Sequence, residues 1–238
     1  MNSDTTRADM RGVPGDAARK RGINRIVLPL LGLGFLFGLG GGIIFGAVGL
    51  SALIGGLLLF LALLGFVWYA RRQPAFVYGY FKGARGEEMT AGELAHLPMG
   101  WTVFNGIVLP DGRDIDHLAV GPQGLFVIET KHWSGQIAVE QGQILANGRA
   151  VAKSPIVQVR HAMNQVAETV TVPQGALRGI LCFVGRHFMD GAVNADEILV
   201  CSHLNLVAEL TRGPIFLDAA AIARCVSLLG TFAITEGL

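Results

Sequence analysis

Cysteine is scarce in this chain, with only Cys182, Cys201 and Cys225 among 238 residues and no Cys-x-x-Cys pair. That excludes a disulfide-stapled fold and a thiolate zinc site. Widely spaced, odd-numbered thiols in apolar runs fit a reducing compartment. A basic excess is missing as well. From Arg71 onward, 13 Lys and Arg stand against 15 Asp and Glu, and the residues that bring the whole chain to +1 lie in the first 25 positions. A domain gripping nucleic acid by phosphate contacts alone usually shows a basic balance, so tight non-specific binding by this part is not expected. No Gly-Lys-Ser/Thr follows the glycine-rich stretch, which excludes a P-loop. No Ser or Cys stands in a nucleophile elbow or triad setting.

The longest absence is of charge: no charged residue interrupts Ile26 to Ala70. One helix of that length would be roughly twice as long as a bilayer core is thick, and a signal peptide's apolar region is far shorter, about 7–15 residues. Two spans of about 26–46 and 50–70, joined by a turn near Ala47 to Ser51, are therefore expected. Arg19, Lys20, Arg21 and Arg25 precede the run, and Arg71 and Arg72 follow it. Basic flanks favour the cytoplasm, and a hairpin puts both on one side. This predicts a multi-pass protein of a bacterial-type inner or plasma membrane with both termini cytoplasmic. Gly34, Gly38, Gly42 and Gly46 form a small-residue ridge of the kind that lets helices approach closely. It is expected to pack on the second span, the other use being a homodimer. Residues 1–25 are polar, without periodicity, and read as a disordered basic tail; 71–80 reads as a linker and 81–238 as one domain.

Within that domain the pattern is helix, three strands, a hairpin, helix, two strands, helix. A short helix spans Gly86 to Leu97, and a strand from Trp101 to Leu109 leads into a Pro110-Asp111-Gly112 turn. The clearest hairpin joins Asp114–Val120 to Leu125–Lys131 through Gly121-Pro122-Gln123-Gly124. Closing it on Val120 opposite Leu125 places Asp116 opposite Glu129, with Lys131 on the same face as Glu129. Directly opposed like charges are destabilising, so this pair needs a divalent cation, a shared proton or Lys131 between its members. Val120, Leu118, Leu125 and Val127 share that face and are expected to be buried, which makes the charged end a candidate cleft. His117 points to the other face, and His132 turns away. His96, His161, His187 and His203 lack ligand spacing. Trp133 is expected to pack where its strand ends. Ile156, Val159, Met163, Val166 and Val170 recur at helical spacing as core. Gly179–Val184 and Ile198–Cys201 read as strands, and Asp218–Leu229 as a closing helix.

The ordered set Gly83-Ala84-Arg85-Gly86-Glu87, Ile115-Asp116-His117, Glu129-Thr130-Lys131-His132-Trp133-Ser134-Gly135 and Ser154-Pro155-Ile156-Val157-Gln158 resembles the nuclease-related domain, or NERD, family. That family is similar to the PD-(D/E)XK, restriction-endonuclease-like nucleases. The resemblance implies an α/β fold with an αβββαβ core, a mixed sheet flanked by helices, preceded here by the transmembrane hairpin. It implies Mg²⁺ or Mn²⁺ held by Asp116 and Glu129, with the main-chain carbonyl of Thr130 as third ligand. Lys131 would orient or deprotonate the attacking water. Glu87 would add a helix carboxylate, with Glu88 and Glu93 as competitors. Gln158, one turn into the helix that Ser154 and Pro155 begin, would order the water or a phosphate oxygen. The implied activity is hydrolysis of DNA or RNA at the membrane's cytoplasmic face. The other classes weighed are a catalytically silent nucleic-acid or protein binding scaffold on the same fold, and a site acting on another phosphate ester.

Overall fold

The computed structural model describes residues 7–46, 49–72, 74–109, 111–185 and 191–234. They fall into two compact units, Ala17–Lys82 and a second one joining the residues up to Asp16 with Gly83–Leu238.

The first unit is built on two apolar helices, α1 (Asp16–Gly46) and α2 (Leu50–Arg72). Of the expected turn, Ala47 and Val48 lie outside the described residues. Asp16–Ile43 and Ala52–Tyr69, with mean hydropathies of 2.1 and 2.3, are long and apolar enough to cross a membrane. Their large side chains are exposed, Phe35 by 71% and Leu53 by 72%. The glycine ridge does not do what was expected of it. Gly34, Gly38 and Gly42 face open space, whereas a Cβ at Gly40 would lie 3.0 Å from Leu59 and 3.1 Å from the Gly55 carbonyl of α2. At about 100° per residue, Gly40 sits on the face of α1 opposite Gly38, and it is this opposite face that meets α2.

Two expectations about chain organisation differ from the structure. The tail is not disordered in its described part: Asp9–Arg11 form strand β1, and α1 starts at Asp16. The described residues of the expected linker at 71–80 are helical, because α2 runs to Arg72 and α3 occupies Pro74–Leu94. Proline fits a first helical turn, where its missing N–H costs nothing. The helix expected from Gly86 thus begins some twelve residues earlier.

Seven strands form one mixed sheet in the order β1-β2-β3-β4-β8-β10-β9. Here β2 is Thr102–Val108, β3 Asp114–Gly121, β4 Gly124–Lys131, β8 Leu177–Phe183, β9 Ala192–Ala195 and β10 Ile198–Ser202. A small three-stranded sheet, β5 (Ile137–Glu140), β6 (Gln143–Ala146) and β7 (Arg149–Ala150), follows β4. The remaining helices are α4 (Pro155–Thr169), α5 (His203–Thr211) and α6 (Ala219–Ile234). The small sheet stands where the sequence pattern puts a hairpin between the three strands and the next helix; β9 and α5, both short, had no sequence signal of their own.

Period-two alternation explains why both sheet faces are covered. Leu118, Val120, Leu125 and Val127 point to the layer that holds Ile156, Val159 and Val166 of α4. Ala119, Phe126 and Ile128 point to the opposite layer with Leu94, Leu97, Leu206 and Leu210. The β3–β4 hairpin has the expected register, from Gly121↔Gly124 through Val120↔Leu125 to His117↔Ile128.

His117 lies on the face away from Asp116 and is fully buried. Its Nδ1 is 2.8 Å from Asn105 Oδ1, and Asn105 Nδ2 donates to the Arg11 carbonyl, so the imidazole carries its proton on Nδ1. Nε2 has no partner. Burial depresses the His117 pKa to about 3, against about 6.5 in an unfolded chain. Its contribution to stability is complete above about pH 6.5 and is lost as the pH falls towards 3, by up to roughly 1.4 kcal/mol per unit. His117→Gln should flatten that part of the acid limb in urea unfolding followed from pH 7 to 3.5. An unchanged slope would refute a neutral, buried imidazole.

Candidate functional site

The site forms where the β3–β4 ladder opens. Regular pairing stops at His117↔Ile128. One step further on, the Thr130 N–H donates not to a main-chain carbonyl but to Asp116 Oδ2, at 2.7 Å. On the other side of Asp116, the β2–β3 ladder pairs Asn105 with His117 and Ile107 with Ile115 but skips Gly106. Gly106 has φ +65, a left-handed conformation that a side chain would strain. The Lys131 carbonyl accepts from Val184 N–H on the β8 side. Successive peptide groups of a strand point to opposite sides, so the Thr130 carbonyl faces β3, the side of Asp116.

Side chains of β4 itself and of two helices, α4 and α3, converge on this opening. Glu129 is 5% exposed, and Lys131 Nζ forms an ion pair with its Oε1. The same ammonium donates to Gln158 Oε1 of α4 at 3.1 Å. Glu87, on α3, accepts from the Gly15 main-chain N–H at 3.0 Å, and its charge acts on both Asp116 and Lys131. Of the three competing glutamates, Glu87 is the one that stands among the main charges acting on both groups. Glu88 instead pairs with Arg85 at 3.7 Å. The five side chains singled out from the sequence lie together. Ser154 occupies the position before α4 as expected, but its hydroxyl makes no capping hydrogen bond.

Electrostatics follow from this crowding. Burial first, then the charges of Glu129 and Glu87, push the Asp116 carboxyl well above the usual carboxylate range, while Lys131 and the Thr130 N–H pull the other way. Burial lowers the pKa of the Lys131 ammonium, but Glu129, Asp116 and Glu87 outweigh it, so it lies above the ordinary lysine value and the side chain stays charged. Among the described residues, no group of three or more His, Cys, Asp or Glu side chains is arranged to hold a metal ion. The oxygen set present is two carboxylates and a carbonyl. That suits a hard divalent cation, since Mg²⁺ keeps several waters and takes one or two carboxylates.

Several contributors had no sequence signal. An open groove of about 470 Å³ adjoins the site, lined by Arg113, Lys131, Trp133, Lys153, Ser154 and Gln158 among others. Arg113 is oriented by Asp111, which accepts from its Nε and its main-chain N–H at 3.0 Å each. Asp111 also meets His161 Nε2 of α4 at 2.8 Å, which pins the β2–β3 turn to the helix. The Arg113 main-chain N–H, then His161, hold the Asp111 carboxyl below its usual range. Pro110 of that turn lies outside the described residues, as does His187. On the other layer, the Thr130 hydroxyl donates to buried Thr90 at 3.1 Å. Trp133 packs edge-on against Phe183, with centroids 5.5 Å apart, as expected.

The chain thus carries an α/β domain with a carboxylate–lysine–glutamine cluster at an opened sheet end. Residues 82–184 match the family model of the nuclease-related domain, NERD. That span includes α3 from Lys82, the hairpin, the small sheet, α4 and β8. No curated protein and no solved structure matches the chain.

Because the fold penalises ionised Asp116, that penalty is present at neutral pH and vanishes as the pH falls through the raised folded-state value. Asp116→Asn removes the charge but keeps an oxygen for the Thr130 N–H. It should be more stable than the parent at pH 7–8 by about 1 kcal/mol, with the two converging in acid. Thermal melts decide; an Asn variant that melts lower at pH 8 would mean that the carboxylate is well solvated or paired.

Proposed function

We propose that this protein is a membrane-anchored, metal-dependent nuclease with a PD-(D/E)XK-like core, hydrolysing phosphodiester bonds of DNA or RNA at the cytoplasmic face. The observation that carries the proposal is the meeting of Glu87, Asp116, Glu129, Lys131 and Gln158 beside a groove whose cations are Arg113, Lys131 and Lys153. In a domain that is slightly acidic overall, the groove lines up Lys153 with two cations held in place by carboxylates, Arg113 by Asp111 and Lys131 by Glu129, where a phosphate backbone would lie.

Asp116 and Glu129, with the Thr130 carbonyl, would hold Mg²⁺ or Mn²⁺, which when bound supplies a more acidic water and Lewis-acid polarisation of the phosphate. The chain's own groups do the rest. Lys131 sets a cation against the charge that builds up on the phosphate oxygens. Gln158, bonded to Lys131, fixes that ammonium from the α4 side and offers its amide N–H to a water or phosphate oxygen. Glu87 adds negative charge at the helix side of the opening. Arg113 and Lys153 bind flanking phosphates. In the overall reaction, a water oxygen bonds to phosphorus, the ester P–O bond breaks, and the leaving oxygen ends up protonated.

The anchor follows from α1 and α2. Strand β1 precedes both helices yet lies in the same sheet as β2, which follows them. This arrangement supports a hairpin crossing with both ends on one side. The basic clusters at 19–25 and 71–72 assign that side to the cytoplasm.

The test is cleavage by the full chain in detergent micelles, with Mg²⁺ or Mn²⁺, on single- and double-stranded DNA and RNA. Lys131→Ala and Asp116→Asn should each lower kcat by about 10²- to 10⁴-fold. Arg113→Ala should mainly raise KM and reduce the salt slope of binding by about one. A folded chain that binds nucleic acid but cleaves none of the four would replace the enzyme with a scaffold. One that neither binds nor cleaves would end the nucleic-acid reading.

A further inference from the structure

The segment Arg7–Asp16, ahead of the first apolar helix, has the composition of a loose tail, yet its contacts are those of a core element. Asp9, Met10 and Arg11 pair in parallel with Thr102, Val103 and Phe104. Ala8 N–H donates to the Leu97 carbonyl at 3.0 Å, and Asp9 N–H to the Trp101 carbonyl at 2.9 Å. The Arg11 carbonyl accepts from Asn105 Nδ2 at 2.9 Å, and its guanidinium lies 5.4 Å from the Phe104 ring centre. Two glycines make the approach possible. Gly12 and Gly15 have φ of +75 and +73. A Cβ on Gly12 would collide with the Asn105 carbonyl, and one on Gly15 would stand 2.9 Å from Ala84. Left-handed conformation and close approach both favour glycine.

This segment ends at the site. Gly15 lies against Ala84 of α3, and its N–H donates to Glu87 Oε2. Asn105, held by Arg11, in turn holds His117, the neighbour of Asp116. We infer that residues Arg7–Asp16 are an integral edge strand of the site-bearing domain and that Gly15 is a positioning residue, its main-chain N–H aiming the Glu87 carboxylate into the site. The role given to Glu87 rests on the nuclease reading; the docking of the segment does not. One consequence is that a soluble fragment beginning after the hairpin lacks its outer strand and the donor to Glu87, leaving the β2 edge unpaired.

Hydrogen exchange on the full chain in micelles, resolved by mass spectrometry, tests this without relying on activity. In the parent, the amides of Ala8, Asp9 and Gly15 should exchange at least about tenfold more slowly than in a free chain. Free-chain exchange there, with β2 protected, overturns the proposal. Glu87→Ala should speed exchange at Gly15 while Ala8 and Asp9 stay protected. Glu87→Gln, which keeps an oxygen acceptor, should restore protection. Equal exchange in the parent and both variants would remove Gly15 from its role. Gly12→Val should release Ala8, Asp9 and Gly15 together and lower kcat with KM little changed, and should lower kcat by a smaller factor in a Glu87→Ala background. Additive losses would refute positioning through Glu87. If the parent cleaves nothing, the nuclease reading falls, and the exchange results alone decide the docking and the Gly15–Glu87 bond.

Discussion

The hydrogen bond from the Thr130 N–H to the Asp116 carboxylate is the point on which the rest of the site depends. In a continuing antiparallel ladder, that donor would meet a main-chain carbonyl. Here a side chain takes the carbonyl's place, so β3 and β4 part without leaving a buried N–H unsatisfied. The parting leaves the Thr130 carbonyl turned to the Asp116 side and lets Glu129 and Lys131, one residue to either side, project from the same face. Gly106 across from Asp116 extends the irregularity into β2. A sheet that stayed regular here would be more stable, and it would have no opening at this end.

Bringing Asp116, Glu129 and Glu87 together in a poorly solvated place is costly, and Lys131 offsets only part of the cost. Clustered like charges perturb one another's titration, and such perturbed groups gather at functional sites, where stability is given up for reactivity. The two layers flanking the sheet share the work of holding them. Glu87 comes from α3 on one layer; Gln158 comes from α4 on the other and reaches Lys131 directly. The β2–β3 turn is tied to α4 through Asp111 and His161, and this tie orients Arg113. The N-terminal strand ties the remaining edge.

The hairpin and its face pattern were legible because both are local. A four-residue loop sets the register, and period two sets the faces, so Asp116, Glu129 and Lys131 could be grouped on paper. Glu87 and Gln158 were harder, since each comes from a helix whose place on the sheet is set by packing. Their grouping came from the ordered motif rather than from spacing. Arg113, Asp111 and His161 were missed because they meet only when a turn folds onto a helix some fifty residues away. The tail was misread for the same reason. Three residues of strand have no periodicity to detect, and their partners begin more than ninety positions later.

By itself the sequence determined what depends on short-range chemistry: the uncharged run long enough for two spans, the alternation that buries one hairpin face, the proline that opens α4. Tertiary structure alone decided which face of α1 meets α2, which glutamate acts on Asp116, where the groove beside the site lies and what the first residues do. The physical reason is range. Periodicity and turn chemistry act over a few residues, whereas burial and electrostatic fields act across space between segments that the chain order keeps far apart.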